Sequence, residues 1–470
     1  MPFPVISVAQ MREWEQATWA AGQTEEAVMR LAGRAVARRA AQLTRAGGSI
    51  LVLAGKGHNG DDARFAAESD LLAERRVQVV NVLEPESALK EIAPLLRRPL
   101  DLLIDGLFGI GLNRPLSLPW IRLIQEINLS GAPILAVDVP SGLNAETGET
   151  MGDAIRASYT VTFGAVKKGM LGARAAAFIG RLEAAADIGL AACPFKTELN
   201  LIGPEDFFRF PPPRPVDGHK GTFGHLALIA GSLGYHGAAV LAARGAQRAQ
   251  PGLITLFTAE NVYSPVAAQL QSVMVRPWKP EMELPDSCTA IAIGPGLASP
   301  GLPEFIKEKA RRFWRESPLA VIVDASALEW LPPGPTPQSA LRVITPHPGE
   351  AARLLQTSTV DVQRNRPETV RRLSRRLGDC WVILKGHQTI IGSSDGDQFI
   401  NSSGNPLLAQ GGSGDLLAGY LGGLLAQPAL QSDPAKTIRY AVWQHGASAD
   451  ALGATRANWT VEDLAGVLGE

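Results

Sequence analysis

The chain has 470 residues, 48 of them Gly and 34 Pro, with 46% hydrophobic and 19% charged side chains and 45 basic against 46 acidic groups. That length exceeds what one hydrophobic core organises, so two or more domains are expected and a disordered chain is excluded. A formal net charge of −1 with no sustained Lys/Arg block excludes a nucleic-acid or anionic-membrane partner, either of which needs a concentrated basic surface, and leaves a small metabolite as the ligand. No segment approaches the roughly 18 uninterrupted apolar residues of a membrane helix, and the opening MPFPVISVAQMREWEQ lacks the basic stretch and apolar core of a secretion signal. Cys193, Cys288 and Cys380 are odd in number, far apart and in no metal-ligand spacing, which fits core thiols in a reducing compartment; a cytoplasmic protein is expected.

After an opening helical region, short β-rich runs are predicted at Ile50–Ala54, Val77–Leu83, Leu100–Asp105, Ile134–Asp138 and Tyr159–Phe163, with helical periodicity at Asp62–Arg75 and Trp120–Asn128. Strands that are continuously apolar rather than alternating, with helices between them, imply a parallel sheet covered on both faces, an α/β doubly wound domain. The cluster Phe210-Pro211-Pro212-Pro213-Arg214-Pro215 continues neither a helix nor a central strand and reads as a stiff linker. Beyond it strands are predicted at Leu226–Ala230, Leu253–Phe257, Ala290–Ile293, Ala320–Val323, Arg342–Ile344 and Trp381–Leu384, with helices including Ala238–Ala249 and Asp415–Leu425. This is a second parallel α/β domain. The halves share no motif order, so two different domains, 1–210 and 214–470, are expected rather than a duplication.

The strongest chemical signal is Gly411-Gly412-Ser413-Gly414-Asp415, followed directly by the apolar run LLAGYLGGLL. Glycines let the backbone approach a ligand, and the free N–H groups of a helix start are aimed at an anion, so developing phosphoryl charge is stabilised there. Asp415 has two possible roles, capping the helix or accepting a proton from an attacking hydroxyl. Upstream, His219-Lys220-Gly221, Gly237-Ala238, Gly294-Pro295-Gly296-Leu297, Asp324-Ala325, Thr345-Pro346-His347-Pro348-Gly349-Glu350 and Lys385-Gly386 fall mostly at carboxyl ends of predicted strands, where open parallel sheets bind ligands. One long cleft is implied. Taken singly, Gly296 has the alternative role of turning the chain, and His347 that of satisfying a buried backbone group.

In this order HKG, GPGL, DA, TPHPGE, KG and GGSGD resemble the ribokinase-like dehydratases that repair hydrated nicotinamide cofactors, over roughly 214–470. The resemblance implies phosphorylation of the ring hydroxyl of (6S)-NADHX or (6S)-NADPHX at the expense of ADP or ATP with Mg²⁺, then loss of phosphate to restore NADH or NADPH. Asp415 would be the base. Gly237, Ala238, Gly296, His347 and Asp415 would meet the hydrate. Lys385, Gly386, His387, Gln388 and Thr389, with Gly411, Gly412, Ser413 and Gly414, would meet the nucleotide and the transferred phosphoryl group. Vitamin or sugar kinases of the same superfamily are the rival reading.

In the first half, Gly55-Lys56-Gly57-His58-Asn59-Gly60-Asp61-Asp62 follows a strand and opens a helix without the G-x-G-x-x-G spacing of the dinucleotide fingerprint, and Asp105-Gly106 and Asp138-Val139-Pro140-Ser141 end two further strands. With AVMRLAGRAVA, this set resembles the epimerase fused to the dehydratase in bacteria, over roughly 1–200. That implies interconversion of the (6R) and (6S) hydrates, with Asp138 catalytic and His58, Asn59, Gly60, Asp61, Asp62 and Asp138 binding substrate. Asn59, Asp105 and Ser141 would bind K⁺; simple capping is the alternative for the two aspartates. Where the family usually has Asn-Asn-Gly-Gly-Asp-Gly, this chain has His58-Asn59-Gly60-Asp61-Asp62-Ala63. Asp61 and Ala63 are expected to crowd the ligand and weaken its binding, and a domain reduced to a binding or oligomerisation module is the rival reading. Self-association into a homo-oligomer is expected, of an order the sequence leaves open.

Overall fold

The structure is a computed structural model that describes residues 2–337 and 340–470. The chain folds as two compact units, Pro2–Gly203 and Pro204–Glu470. In the first unit the strands are β1 (Phe3–Ile6), β2 (Ser49–Ala54), β3 (Arg76–Asn81), β4 (Leu102–Gly106), β5 (Ile134–Val137), β6 (Tyr159–Phe163), β7 (Val166–Lys167), β8 (Arg181–Ala185) and β9 (Leu199–Ile202). Six of them form a sheet in the order β3-β2-β4-β5-β6-β8, and every pairing in it is parallel. The pleat explains why β2 is apolar at every position from Ile50 to Ala54. Ile50, Val52 and Ala54 face a core shared with Val28, Ala32 and Val36 of helix Glu25–Leu43 and with Ala63 and Ala66 of helix His58–Ala67. Leu51 and Leu53 face the opposite core, with Ile92 of helix Pro85–Leu96 and with Leu123, Ile124 and Ile127 of helix Leu118–Leu129.

The opening segment differs from its expectation. Phe3–Ile6 is extended, pairing parallel with β7 and antiparallel with β9, and helix Val8–Ala20 starts only at Ser7, whose side chain closes a capping box with Gln10.

The second unit continues with β10 (His225–Ile229), β11 (Leu253–Thr258), β12 (Met274–Pro277), β13 (Ala290–Ile293), β14 (Ala320–Val323), β15 (Arg342–Ile344), β16 (Trp381–Leu384), β17 (Thr389–Gly392) and β18 (Gln398–Asn401). Their order is β12-β11-β10-β13-β14-β15-β16-β17-β18. Pairing is parallel through β16, and β17 and β18 add antiparallel hairpins at one side. Helix Ser413–Leu425 is buried at nearly every position and lies against helix His236–Ala249. Glycines let the two main chains touch. A Cβ at Gly419 would sit 1.8 Å from the Ala242 carbonyl oxygen, and one at Gly245 would sit 2.1 Å from that of Leu416.

The segment ahead of the proline cluster belongs to this second unit rather than to the first. Phe207 stacks on Tyr440 and Trp443 with ring centroids 5.5 and 5.1 Å apart, and Phe210 meets Tyr440 at 5.1 Å. The units therefore divide at 203/204, where the sequence pointed to 210–214.

Among the described residues no helix is long and apolar enough to cross a membrane. Cys288 and Cys380 are buried, Cys193 is half-buried, and all are free thiols.

Candidate active sites

In the second unit the parallel strands deliver their polar residues to one edge. Asp324 follows β14, Thr345 follows β15 and Lys385 follows β16, and they meet there. Asp324 Oδ1 accepts from Lys385 Nζ at 2.7 Å and from Thr345 Oγ1 at 2.6 Å. Gly414 faces this pair, since a Cβ on it would stand 3.3 Å from Lys385 Nζ. Burial works against the Lys385 ammonium, but Asp324, Glu350 and Asp415 together outweigh it and push its pKa up. Asp415 lies in the first turn of helix Ser413–Leu425, whose N-cap is Gly412 at φ 94° with no side-chain cap. Its carboxylate makes no hydrogen bond among the described residues, so capping is not its role. Burial and then Asp324 raise its pKa to about 7, with Lys385 opposing and Glu350 adding. A carboxylate free of partners and tuned near neutrality is suited to taking a proton from a hydroxyl.

The other named residues divide. Gly296, at φ 67°, turns back so closely that a Cβ would lie 2.9 Å from that of Ala238 and 2.5 Å from the Tyr235 carbonyl oxygen, and Gly237 is exposed beside them at the start of its helix. His347 is the N-cap of helix Pro348–Leu355. Its Nδ1 accepts from the N–H of Gly349 at 3.0 Å while Glu350 accepts from the His347 N–H at 2.8 Å, leaving the ring half exposed. Gly386, His387, Gln388 and Thr389 form the turn after β16, with Gly386 and His387 exposed, Gln388 left-handed at φ 53° and Thr389 Oγ1 donating to the Gly386 carbonyl at 2.9 Å. Gly411 is exposed and Ser413 buried.

In the first unit a cavity of about 1000 Å³ opens at the carboxyl ends of β2, β4 and β5. His58, Asn59, Asp62 and Asp138 line it, together with Arg12, Glu15, Lys56, Arg114, Phe108, Trp120 and Lys167. Asp138, at φ 61°, directs Oδ1 to three donors: Lys167 Nζ at 2.6 Å, Thr162 Oγ1 at 2.9 Å and the Phe163 N–H at 3.1 Å. Lys167 is 1% exposed and also donates to Thr162 Oγ1 and the Phe163 carbonyl. Asp62 is buried with Oδ1 unpartnered. Burial first, then Asp138, Asp61 and Glu15, push its pKa well up, and burial followed by Asp138 raises that of Glu15. Lys167 and Glu15 carry no motif, and the sequence reading passed over both.

Asp105, Ser141 and Asn59 converge on the Phe108 backbone. Asp105 accepts from the Ser141 N–H at 2.8 Å and Oγ at 2.6 Å; Ser141 Oγ accepts from the Phe108 N–H at 2.8 Å, and Asn59 Nδ2 donates to the Phe108 carbonyl at 2.9 Å. Complete burial, only partly offset by these hydrogen bonds, lifts the Asp105 pKa to about 6. Among the described residues no group of three or more His, Cys, Asp or Glu is placed to hold a metal ion. The set here is instead carboxylate, hydroxyl, amide and carbonyl oxygen.

Two expectations are corrected. Asp61 does not enter the cavity lining: its carboxylate pairs with Arg64 one helical turn on, at 2.7 Å, and Arg64 in turn donates to the Gly55 carbonyl. Ala63 is fully buried against Gly106, where a Cβ would lie 2.4 Å from its own. Neither side chain lines the cavity. Gly60 is also behind the lining, packed so that a Cβ would meet the Gly55 carbonyl oxygen at 2.1 Å.

A family model described as NAD(P)H-hydrate dehydratase matches residues 226–466, and one described as YjeF-related protein N-terminus matches 25–94 and 72–169. The bifunctional NAD(P)H-hydrate repair enzyme of Gloeobacter violaceus is 35% identical over 96% of this chain and 94% of its own; that of Escherichia coli is 34% identical over 84% and 73%. Among solved structures, the ADP/ATP-dependent NAD(P)H-hydrate dehydratase of Bacillus subtilis, co-crystallised with ATP and Mg²⁺, superposes with TM-score 0.50 and 33% identity over 55% of this chain and 91% of its own. A ribokinase-like superfamily protein of Enterococcus faecalis does so with TM-score 0.50 and 26% identity over 58% and 95%. With relatives this similar along nearly its whole length, the chain belongs to the family of bifunctional NAD(P)H-hydrate repair enzymes.

Proposed function

We propose that the second unit dehydrates (6S)-NADHX and (6S)-NADPHX with ADP or ATP, and that the first interconverts the (6R) and (6S) hydrates. The observation that carries the first half is the unpartnered Asp415 carboxylate at a glycine-led helix start, beside Lys385 and Asp324. Asp415 takes the proton of the ring hydroxyl as its oxygen attacks the terminal phosphorus of the nucleotide, and the bond from that phosphorus to the bridging oxygen breaks, releasing AMP from ADP or ADP from ATP. The N–H groups of the helix start and Lys385 receive the charge that develops on the phosphoryl oxygens. Hydroxide is a poor leaving group and phosphate a good one, so phosphate then departs with its C–O bonding pair, the neighbouring ring carbon gives a proton to water, and the C–H pair left behind forms the double bond that restores the dihydronicotinamide. Mg²⁺ would neutralise the nucleotide phosphates. Asp324 and Glu350, whose carboxylates act on Asp415, would help to hold it. Gly237, Ala238, Gly296 and His347 would bind the hydrate.

In the first unit three donors occupy Asp138 Oδ1 and leave Oδ2 for substrate. The hydrate carries its hydroxyl on the carbon next to the ring nitrogen. Asp138 removes that hydroxyl's proton while the carbon–nitrogen bond opens, and Asp62, whose pKa burial pushes well up, gives a proton to the nitrogen. Rotation of the aldehyde and the reverse proton transfers close the ring on the other face, with no net change. Arg12, Lys56 and Arg114 bring positive charge to the cavity for a pyrophosphate. K⁺ would be held by oxygens of Asn59, Asp105 and Ser141 and would add a weak positive charge there; the oxygen-only donor set suits a large, hard cation. Self-association and a cytoplasmic location belong to the same reading.

The test is incubation of mixed (6R,6S) hydrate with Mg²⁺ and ADP or ATP, following the return of dihydronicotinamide absorbance. Repair of the whole mixture at a rate above spontaneous epimerisation supports both activities. Accumulation of a stable phosphorylated product would instead mark a kinase.

A further inference from the structure

Two arginines of the second unit are buried without a carboxylate partner among the described residues, and they are buried differently. Arg342, 2% exposed, gives Nε to the Trp314 carbonyl, Nη1 to those of Leu319 and Leu341, and Nη2 to those of Phe313 and Ser317, at 2.6–3.3 Å. Several of these carbonyls close helix Glu304–Glu316, whose negative end is itself a partial counter-charge. That guanidinium is fully used as a strut.

Arg366, 6% exposed at the head of helix Arg366–Arg376, is not. Its Nη2 reaches the carbonyls of Leu384 at 2.9 Å, Lys385 at 3.4 Å and Gln388 at 3.5 Å, the last two long, and Nη1 reaches Gln363 Oε1 at 2.9 Å. Its Nε is buried with no partner. A buried charge without a counter-ion is expensive, and folded proteins pair such groups. Gly386 lies against the guanidinium with no side chain, a Cβ there would stand 3.2 Å from Nη1 and close the approach, and Gly386 is exposed at φ 130°. The glycine therefore leaves a window from solvent onto a positive charge, and that window opens in the turn 385–389.

We propose that Arg366 is a positioning residue for the nucleotide: it ties the Lys385–Thr389 turn from beneath, and the counter-ion it lacks in this chain is the phosphate chain of the bound nucleotide. The inference rests on the reading that this turn meets ADP or ATP.

The experiment uses the full chain and varies ADP at saturating hydrate. Gly386→Val, which shuts the window, tests the reading of the turn, and Arg366→Met tests the inference. Both are expected to raise the KM for ADP about tenfold or more, with kcat falling by a smaller factor. Inorganic pyrophosphate is expected to compete with ADP in the wild type and to inhibit R366M more weakly. Arg366→Lys keeps a charge but loses the fork and should fall between R366M and wild type; if R366M does not fold, a raised KM in R366K carries the test. If G386V shifts the KM and neither Arg366 variant does, Arg366 is a strut like Arg342 and the inference is overturned. If none shifts it, the turn does not meet the nucleotide and both fall. An R366K no better than R366M would overturn the counter-ion argument.

Discussion

Replacing Asp415 by Asn is expected to move activity and stability in opposite directions. The carboxyl has no hydrogen-bond partner to lose, and its pKa rises from 3.8 to about 7 mainly through burial, then through Asp324. An acid whose pKa is raised on folding binds more protons folded than unfolded between those two values, so the fold loses stability as pH climbs through that window and carries the full penalty above it. At 1.36 kcal/mol per pH unit the penalty is of order 4 kcal/mol, which we reduce to about 2 kcal/mol for the solvent that reaches a partly exposed group. Asp415→Asn should therefore match wild type in thermal melts near pH 4 and exceed it near pH 8. Turnover should fall about 10²-fold or more, because the amide accepts no proton. The wild-type rate should rise with pH through about 7 as the base ionises. A variant that melts lower than wild type at pH 8 would show the carboxylate to be structural, and one that keeps wild-type turnover would remove it from the chemistry.

In a (6R,6S) mixture with excess nucleotide, Asp138→Ala should stop near the (6S) half and then creep at the spontaneous rate; progress curves that overlay wild type would leave the first unit as a binding module. Asp61→Asn, which breaks the pair with Arg64 and removes one of the lesser charges acting on Asp62, should keep epimerisation within about threefold and stability within about 1 kcal/mol by melting; a large gain in rate would restore the view that Asp61 obstructs the ligand. A fragment beginning at Pro204 should melt above one beginning at Pro213, by about 3 kcal/mol in denaturant titration, because the shorter one lacks the buried Phe207 and the Phe210 ring; equal midpoints would place those rings outside the cooperative core. Exchanging K⁺ for tetramethylammonium should slow epimerisation, and Asn59→Ala should abolish the difference; a K⁺ effect that survives in N59A would move the ion elsewhere.

The strands whose ends could be read most closely from the sequence are those buried on both faces. Ala290–Ile293, Ala320–Val323, Arg342–Ile344 and Trp381–Leu384 have the boundaries their apolar runs predicted, because a central parallel strand has no solvent side to interrupt the pattern. Met274–Pro277 and Gln398–Asn401 were invisible for the converse reason: polar residues and proline interrupt their apolar pattern and read as loop. The helix expected at Asp62–Arg75 begins instead at His58, after Gly57, and ends at Ala67, so the residues that meet the cavity sit in its first turn. Asp138 could be found because it ends a strand. Lys167 comes 29 residues later with no spacing to announce it, and only the pairing of β1 with β7 brings the second half of that ion pair inward. The Asp61 misreading was avoidable in principle, since an Arg three residues further along a helix is within reach of the carboxylate.

The contact of helix Ser413–Leu425 with its neighbour has a consequence for how the second site tolerates change. Most helices in a protein float on interleaved side chains, which repack when a residue is exchanged and absorb the error. Here the main chain at Gly419 and Gly245 rests directly on another main chain, and nothing soft lies between. The placement of Asp415 is thus inherited from peptide geometry, as a machined face is seated on another without a gasket. Adding even one methyl at either glycine would lift the whole helix by an ångström or more, and a displacement of about 1 Å at reacting groups is enough to lose on the order of 10²-fold in rate. Two residues whose side chains consist of a hydrogen atom therefore set the tolerance to which the Asp415 carboxylate is held.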